Sequence, residues 1–162
     1  MAVDQFLLLD GIQGETMDKV YSGKKGIDVL SFGWGVSNTG TFHQGSGGGA
    51  GKANFQDLTI TKYIDKATAP LMLMCANGKH IAKGELIVRK AGENPLEYMK
   101  ISMEKILVSS YSTGGSSGEE RLTENVTLNF AKVKVEYFMQ NEKGGKEPGG
   151  QMAWDIAANA QE

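Results

Sequence analysis

Two short stretches of the chain carry spacings that could do chemistry. The first, Gly45-Ser46-Gly47-Gly48-Gly49-Ala50-Gly51-Lys52-Ala53, has the composition of a phosphate-cradling loop. In the pattern G-x-x-x-x-G-K-[ST], backbone N–H groups hold the phosphates, the lysine reaches the outer ones and the last hydroxyl binds magnesium. Ending that pattern at Gly51-Lys52 puts Ser46 where the first glycine belongs and Ala53 where the hydroxyl belongs. The segment that follows, Phe55–Ile64, is rich in Thr, Ile and Tyr and reads as a strand, whereas such a loop must open a helix. Nucleotide binding is not expected.

The second stretch, Gly114-Gly115-Ser116-Ser117-Gly118, has the letters of a nucleophile elbow, G-x-S-x-G. That chemistry needs a strained strand-to-helix turn, with the acid and the histidine following along the chain. Here a strand pattern follows, and both histidines, His43 and His80, lie upstream. A turn-rich connection between strands explains these glycines and serines. The two histidines and the lone Cys75 are too far apart in sequence for metal-ligand spacing. His80, just past a predicted helix end, is placed to favour the helix dipole. Glu119 and Glu120 are adjacent, hence on opposite faces of an extended chain, and read as a solvated pair. Asn125-Val126-Thr127 fits a glycosylation sequon, with nothing beside it to indicate a secretory route. No catalytic, cofactor or metal site emerges.

Composition narrows the classes further. A chain of 162 residues, 40% hydrophobic and 22% charged, suits one globular domain spanning 1–162. The net charge is −2, Arg89 and Arg121 are the only arginines, and no basic run exists, so nucleic acid is not expected as a partner. One cysteine allows no internal disulfide. The opening MAVDQFLLLDG lacks a basic n-region and is not expected to act as a signal peptide. No apolar run approaches the ~18 residues of a membrane helix, and membrane insertion is not expected.

The elements that would position any site are mostly strands. Phe6–Asp10 is apolar on both faces. From Leu30 the pattern alternates: Leu30, Phe32, Trp34 and Val36 point one way, and Ser31, Gly33, Gly35 and Ser37 the other. The second set is almost free of side chains, so something approaches it closely or it lines an open space. Asp65 or Thr68 as N-cap, Pro70 in the first turn and Gly78 as a left-handed cap predict one short helix. Its Met72 and Met74 read as core filler. Ile81–Arg89, Tyr98–Tyr111 and Val126–Met139 are long strands, and in the last two the apolar set changes phase, near Phe130–Lys132 and between Met103 and Ile106. A bulge or sharp bend there would curl the sheet. Residues 112–120 read as a connection, 140–151 as a flexible loop, and Met152, Trp154 and Ile156 as a short last strand. The expected fold is mainly β: a small curved barrel of two packed sheets, one short helix and an extended glycine-rich loop.

Four stretches stand in order: MAVDQFLLLDGIQGE, IDVLSFGWGVS with the glycine run and GKANFQDLTITKYIDKAT after it, LVSSYSTGGSSGEERLTENVTLNF, and the closing AWDIAANAQE. In that order they resemble the haemolysin-coregulated protein (Hcp) family, the tube protein of bacterial type VI secretion. Together they cover nearly the whole chain, and their motifs are structural. Gly33 departs from the small polar residue that some members carry there. The resemblance implies a non-enzymatic subunit of six-membered rings that stack into a hollow tube, driven outward by a contractile sheath beneath a spike, with effector proteins in the lumen. It implies assembly in the bacterial cytoplasm, then release through the apparatus without a signal peptide. Under it, Thr41, Phe42, His43, Gly47, Gly48, Gly49 and Lys52 become candidates for a subunit or ring-stacking contact, and Ser31, Gly33 and Gly35 for the lumen wall. Two rival readings remain: a monomeric β-barrel holding a small apolar ligand, and a hydrolase acting through Ser116.

Overall fold

The computed structural model describes residues 3–40, 49, 51–92 and 94–162. Strand β1 (Val3–Leu9) carries the first apolar run, with Phe6, Leu7 and Leu9 all buried. The alternation expected from Leu30 onward breaks at its first residue. Ile27 and Val29 are buried, Leu30 is 44% exposed, and only Phe32 and Trp34 pack against the core; Val36 is exposed. The segment is three short strands, β2 (Ile27–Val29), β3 (Ser31–Gly33) and β4 (Val36–Ser37), because it changes partner as it goes. β2 pairs with β1, β3 with β6 (Leu58–Tyr63), and β4 with β5 (Asn54–Phe55). The Leu30 N–H, at the first exchange, donates to Thr61 O at 2.8 Å.

Three long antiparallel strands form the frame: β7 (Ile81–Lys90), β8 (Leu96–Gly114) and β9 (Thr123–Gln140). β1 pairs with β7, β7 with β8, β8 with β9, and the first half of β9 with β6. Since β6 returns through β3 to β2 and so to β1, the curled sheet closes on itself through the covalent chain at Leu30, not through an unbroken ladder. The interior is filled by side chains with no exposed surface, among them Leu58, Ile60, Leu86, Ile101, Ile106 and Leu128.

The predicted phase changes are present, and of the two expected forms, bulge or sharp bend, the bulge is absent at these positions. On β8 burial passes from Met103 to Ile106, and on β9 from Phe130 to Val133. Glu104↔Lys132 and Ile106↔Phe130 keep one register, so both strands slip together. Lys105, between them, has φ 53°, a left-handed conformation in mid-strand. The Ala131 carbonyl leaves the ladder and accepts from the N–H of Ile156 at 2.8 Å. The register-shifting bulge lies further along, between Val108 and Ser110.

Residues 146–151, expected as loop, belong instead to a strand, β10 (Lys146–Asp155), paired with the second half of β9. Pairing along that half outweighs the Gly and Pro content, and Pro148 is accommodated by a register shift before Gly150. Ile156 lies in the turn after β10, and β11 (Ala160–Gln161) adds a short edge.

The helix α1 (Thr68–Asn77) ends as predicted at Gly78, with φ 69°, but begins at Ala67 without a side-chain cap. Asp65 Oδ1 accepts from the Ala67 N–H at 2.9 Å, and Thr68 Oγ1 accepts from the Asp65 N–H at 3.0 Å. These side chains close the turn ahead of the helix. Leu71 is buried and Met74 packs on the core, but Met72 is 45% exposed and is not core filler.

On the outer side of β1 and β7, residues 11–26 form a strap. Tyr21 is buried and stacks on Phe6 at 4.5 Å, and its hydroxyl donates to Glu97. Arg89 donates to Asp18 at 2.5 Å and to Asp4 at 3.0 Å. The Arg89 hydrogen bond holds the Asp18 carboxyl at about 2, while burial, then the Glu97 carboxylate, pushes the Tyr21 phenol well up. Gly14 crosses the strap where no Cβ fits: one would lie 2.2 Å from the Gly26 carbonyl oxygen.

Candidate assembly and lumen surfaces

Two features of the sequence, the glycine run and the bare face before it, come to different parts of the structure. The described residues on either side of the glycine run form a two-stranded ribbon. Val36 and Ser37 pair with Phe55 and Asn54, the Gly51 N–H donates to Thr39 O at 3.1 Å, and the Gln56 N–H donates to Gly35 O at 2.9 Å. Stacked rings hold the ribbon's root: Trp34 lies 6.1 Å from Phe55 and 6.4 Å from Phe130, and Phe55 lies 6.4 Å from Trp154. Of the predicted contact residues, Gly49 and Lys52 are exposed, and Thr41, Phe42, His43, Gly47 and Gly48 lie outside the described residues. Gly51-Lys52 leads into β5, a strand, so no helix N-terminus stands where a phosphate cradle requires one.

Ser31 and Gly33 sit on a face the sequence alone did not assemble. Ser31 pairs with Thr61, Thr61 with Asn125, and Asn125 with Ser112; one row along, Gly33 pairs with Thr59, Thr59 with Thr127, and Thr127 with Ser110. Residues alternate across a strand, so these eight share the outward side of β3, β6, β9 and β8. None is charged and none is large and apolar. They hydrogen-bond to one another: Thr61 Oγ1 donates to Asn125 Oδ1 at 2.8 Å, and the Ser110 and Thr127 hydroxyls are 2.6 Å apart. At one end of the patch, Asn129 Nδ2 donates to Asp57 at 2.9 Å and Ser109 Oγ at 2.6 Å. Gly35 lies beyond the end of β3, half-buried beside the Gln56 side chain, and does not join this face. Thr59, Thr61, Asn125 and Thr127 were missed as wall candidates. Their alternation with apolar residues in β6 and β9 was a signal for them, although only the pairing shows that they adjoin Ser31.

Directly behind the neutral face lies a buried charge cluster. Lys62 and Glu124, both without exposed surface, form an ion pair; Lys62 Nζ also donates to Asp65 Oδ1 at 2.8 Å and to the Tyr63 carbonyl at 3.0 Å. Glu124 accepts from Thr68 Oγ1 at 2.9 Å and from the Tyr111 hydroxyl at 2.5 Å. Burial, reinforced by the Glu124 carboxylate, pushes the Tyr111 phenol up to about 12. Every polar partner is satisfied within the chain, so this cluster anchors the start of α1 to the sheet and leaves no group free to react.

Ser116 lies in the exposed connection between β8 and β9, where its carbonyl accepts from the Glu119 N–H at 3.2 Å; a strand follows, not a helix. His80 is exposed past the helix, and His43 lies outside the described residues. Among the described residues no group of His, Cys, Asp or Glu could hold a metal ion. No helix among them is long and apolar enough to cross a membrane. One concavity among the described residues, of about 260 Å³, is lined by the charged Lys83, Glu85, Glu104, Lys132 and Glu162 together with the apolar Met103, Val133 and Ala153.

Comparison with known proteins agrees with this architecture. Residues 6–137 match the family model described as "Type VI secretion system effector, Hcp". The chain is 52% identical to Protein hcp1 of Pseudomonas aeruginosa, with 99% of each chain covered. Among solved structures, Hcp1 from Salmonella typhimurium is 40% identical with a TM-score of 0.80 and full coverage of both chains. Another, described as a type six secretion system protein, reaches a TM-score of 0.91 at 29% identity, covering 99% of this chain and 100% of its own. A family model spanning most of the chain, a curated relative above half identity and these structural neighbours agree: the chain belongs to the Hcp family of type VI secretion proteins.

Proposed function

We propose that this chain is a structural tube subunit of type VI secretion, forming six-membered rings that stack into a hollow tube. In this reading a contractile sheath surrounds the tube, a spike caps it, and the subunit leaves the cell with the spike. Effector proteins travel in the lumen. The observation that carries the reading is the neutral face around Ser31 and Gly33. An exposed sheet face of small hydroxyl and amide side chains, without charge or apolar bulk, suits a wall past which protein cargo must move. A charged wall would retain cargo of opposite sign, and an apolar one would adhere. The segment that joins the ribbon's two strands, with Gly49 and Lys52, supplies the contact to the neighbouring subunit or next ring, through backbone hydrogen bonds to an exposed edge. The subunit is non-enzymatic, its polar clusters serving packing and assembly.

Electron micrographs of the purified protein test the reading. Rings with an open centre are expected, and dispersed single barrels at micromolar concentration would overturn it in favour of a monomeric binding protein.

A further inference from the structure

Asp57 closes one end of the neutral face. It precedes β6 by one residue, and alternation puts its side chain on the side of Thr59 and Thr61, opposite the buried Leu58 and Ile60. Asn129 Nδ2 donates to its Oδ1 at 2.9 Å and Ser109 Oγ to its Oδ2 at 2.6 Å. The second bond fixes the direction of two more. A hydroxyl has one proton to donate, and Ser109 directs its own at a carboxylate. At the 2.7 Å contact between Ser109 and Thr127, Thr127 therefore donates; at the 2.6 Å contact between Thr127 and Ser110, Ser110 donates. The hydroxyls of Ser110, Thr127 and Ser109 thus point in series at one carboxylate, and each bond strengthens the next.

That carboxylate is oriented but not neutralised. No ion pair joins Asp57 to another described residue. Each oxygen of an ionised carboxylate can accept more than one hydrogen bond, so with one donor on each, both oxygens keep an open position. Asp57 is half-buried and retains solvent access, and its neighbours on the face are small hydroxyl and amide side chains. Two open acceptor positions side by side on a held carboxylate match the paired N–H groups of a guanidinium; an ammonium is a point charge without that fork. An oriented negative group on an otherwise neutral face complements a positive group brought by another molecule. Such complementarity governs which partner fits more than how tightly it is held.

We infer that Asp57 is the specificity-determining residue of this face: it selects polypeptide cargo by accepting an exposed arginine side chain of the passenger on its carboxylate. The inference rests on the tube reading and names the chemistry by which the wall chooses what it carries. The probes are three short peptides of glycine and serine, capped at both ends, with a central arginine, lysine or citrulline, the last an uncharged near-isostere of arginine. Ligand-observed saturation-transfer NMR with millimolar peptide measures their affinities for the assembled protein. At low salt the arginine peptide should bind about fivefold more tightly than the citrulline peptide, as one charge-assisted contact at a partly exposed site allows, with the lysine peptide between them. Asp57→Asn should keep the rings and lose the preference. Asp57→Glu should retain part of it, and raised salt should weaken it in the parent. Parent rings that treat the three peptides alike would overturn the inference and leave the tube reading intact. So would a preference that survives Asp57→Asn. Loss of rings in Asp57→Asn would also overturn it, making Asp57 a subunit contact instead. A monomeric parent overturns the tube reading, and the cargo role of Asp57 with it.

Discussion

Lys62 and Glu124 show how much one buried residue can carry. Both lack exposed surface; Lys62 donates to Glu124, Asp65 and the Tyr63 carbonyl, and Glu124 also accepts from Thr68 and Tyr111. A satisfied buried pair adds little net stability, because desolvation offsets attraction, but removing one partner leaves the other charge uncompensated. Lys62→Met should therefore destabilise the protein by about 3–5 kcal/mol, read as a shift in the urea unfolding midpoint. Replacing Lys62 and Glu124 together with apolar residues should recover most of that loss. A single variant as stable as the parent would contradict this account. Alternation puts Lys62 on the face of Leu58 and Ile60, and Glu124 on that of Val126 and Leu128, so each is an odd charge in an apolar register; only the pairing Lys62↔Glu124 shows that they neutralise each other.

At the scale of elements, the phase change is the feature the sequence announced, and of its two expected forms, bulge or bend, the register rules out the bulge at that point. The slip in apolar phase at Met103–Ile106 and at Phe130–Val133 is legible from residue type alone. Because the slips face each other, the register survives and the distortion falls on Lys105 at φ 53°. A β-branched residue resists that conformation and glycine does not. Lys105→Val should cost about 1–2 kcal/mol, while Lys105→Gly should stay within about 1 kcal/mol of the parent, both measured by thermal or denaturant unfolding. Equal effects from the two would mean that the bend is held elsewhere. The strand β10 is the converse case. Its Lys146–Gly150 portion has loop composition, yet Lys146, Glu147, Pro148 and Gly150 each pair with β9 and make it a strand. Local propensity lost to long-range pairing there, as it does readily in β structure.

For the whole molecule, the glycine-bearing ribbon is separate from the barrel it rises from: β4 and β5 form their own two-stranded sheet, tied down by Trp34, Phe55 and Trp154. Deleting Gly45–Gly51 lies outside that root. The deletion should leave the barrel's fold and its tryptophan fluorescence unchanged while abolishing tubes in electron micrographs. Intact tubes from the deleted chain would remove the loop from the assembly contact.

Family, β class, the capping glycine of α1 and the absence of nucleotide-loop spacing were all determined by the sequence by itself, because each depends on residue types at fixed short separations. Which residues stand together was decided only by the tertiary structure. Ser31 becomes part of a neutral exposed face through Thr61, Asn125 and Ser112, and Tyr137 stands partly exposed because β9 outruns β6. Alternation assigns each residue to one of two faces of its own strand. Which strands adjoin, and where one ends short of its neighbour, is set by contacts between residues far apart in the chain.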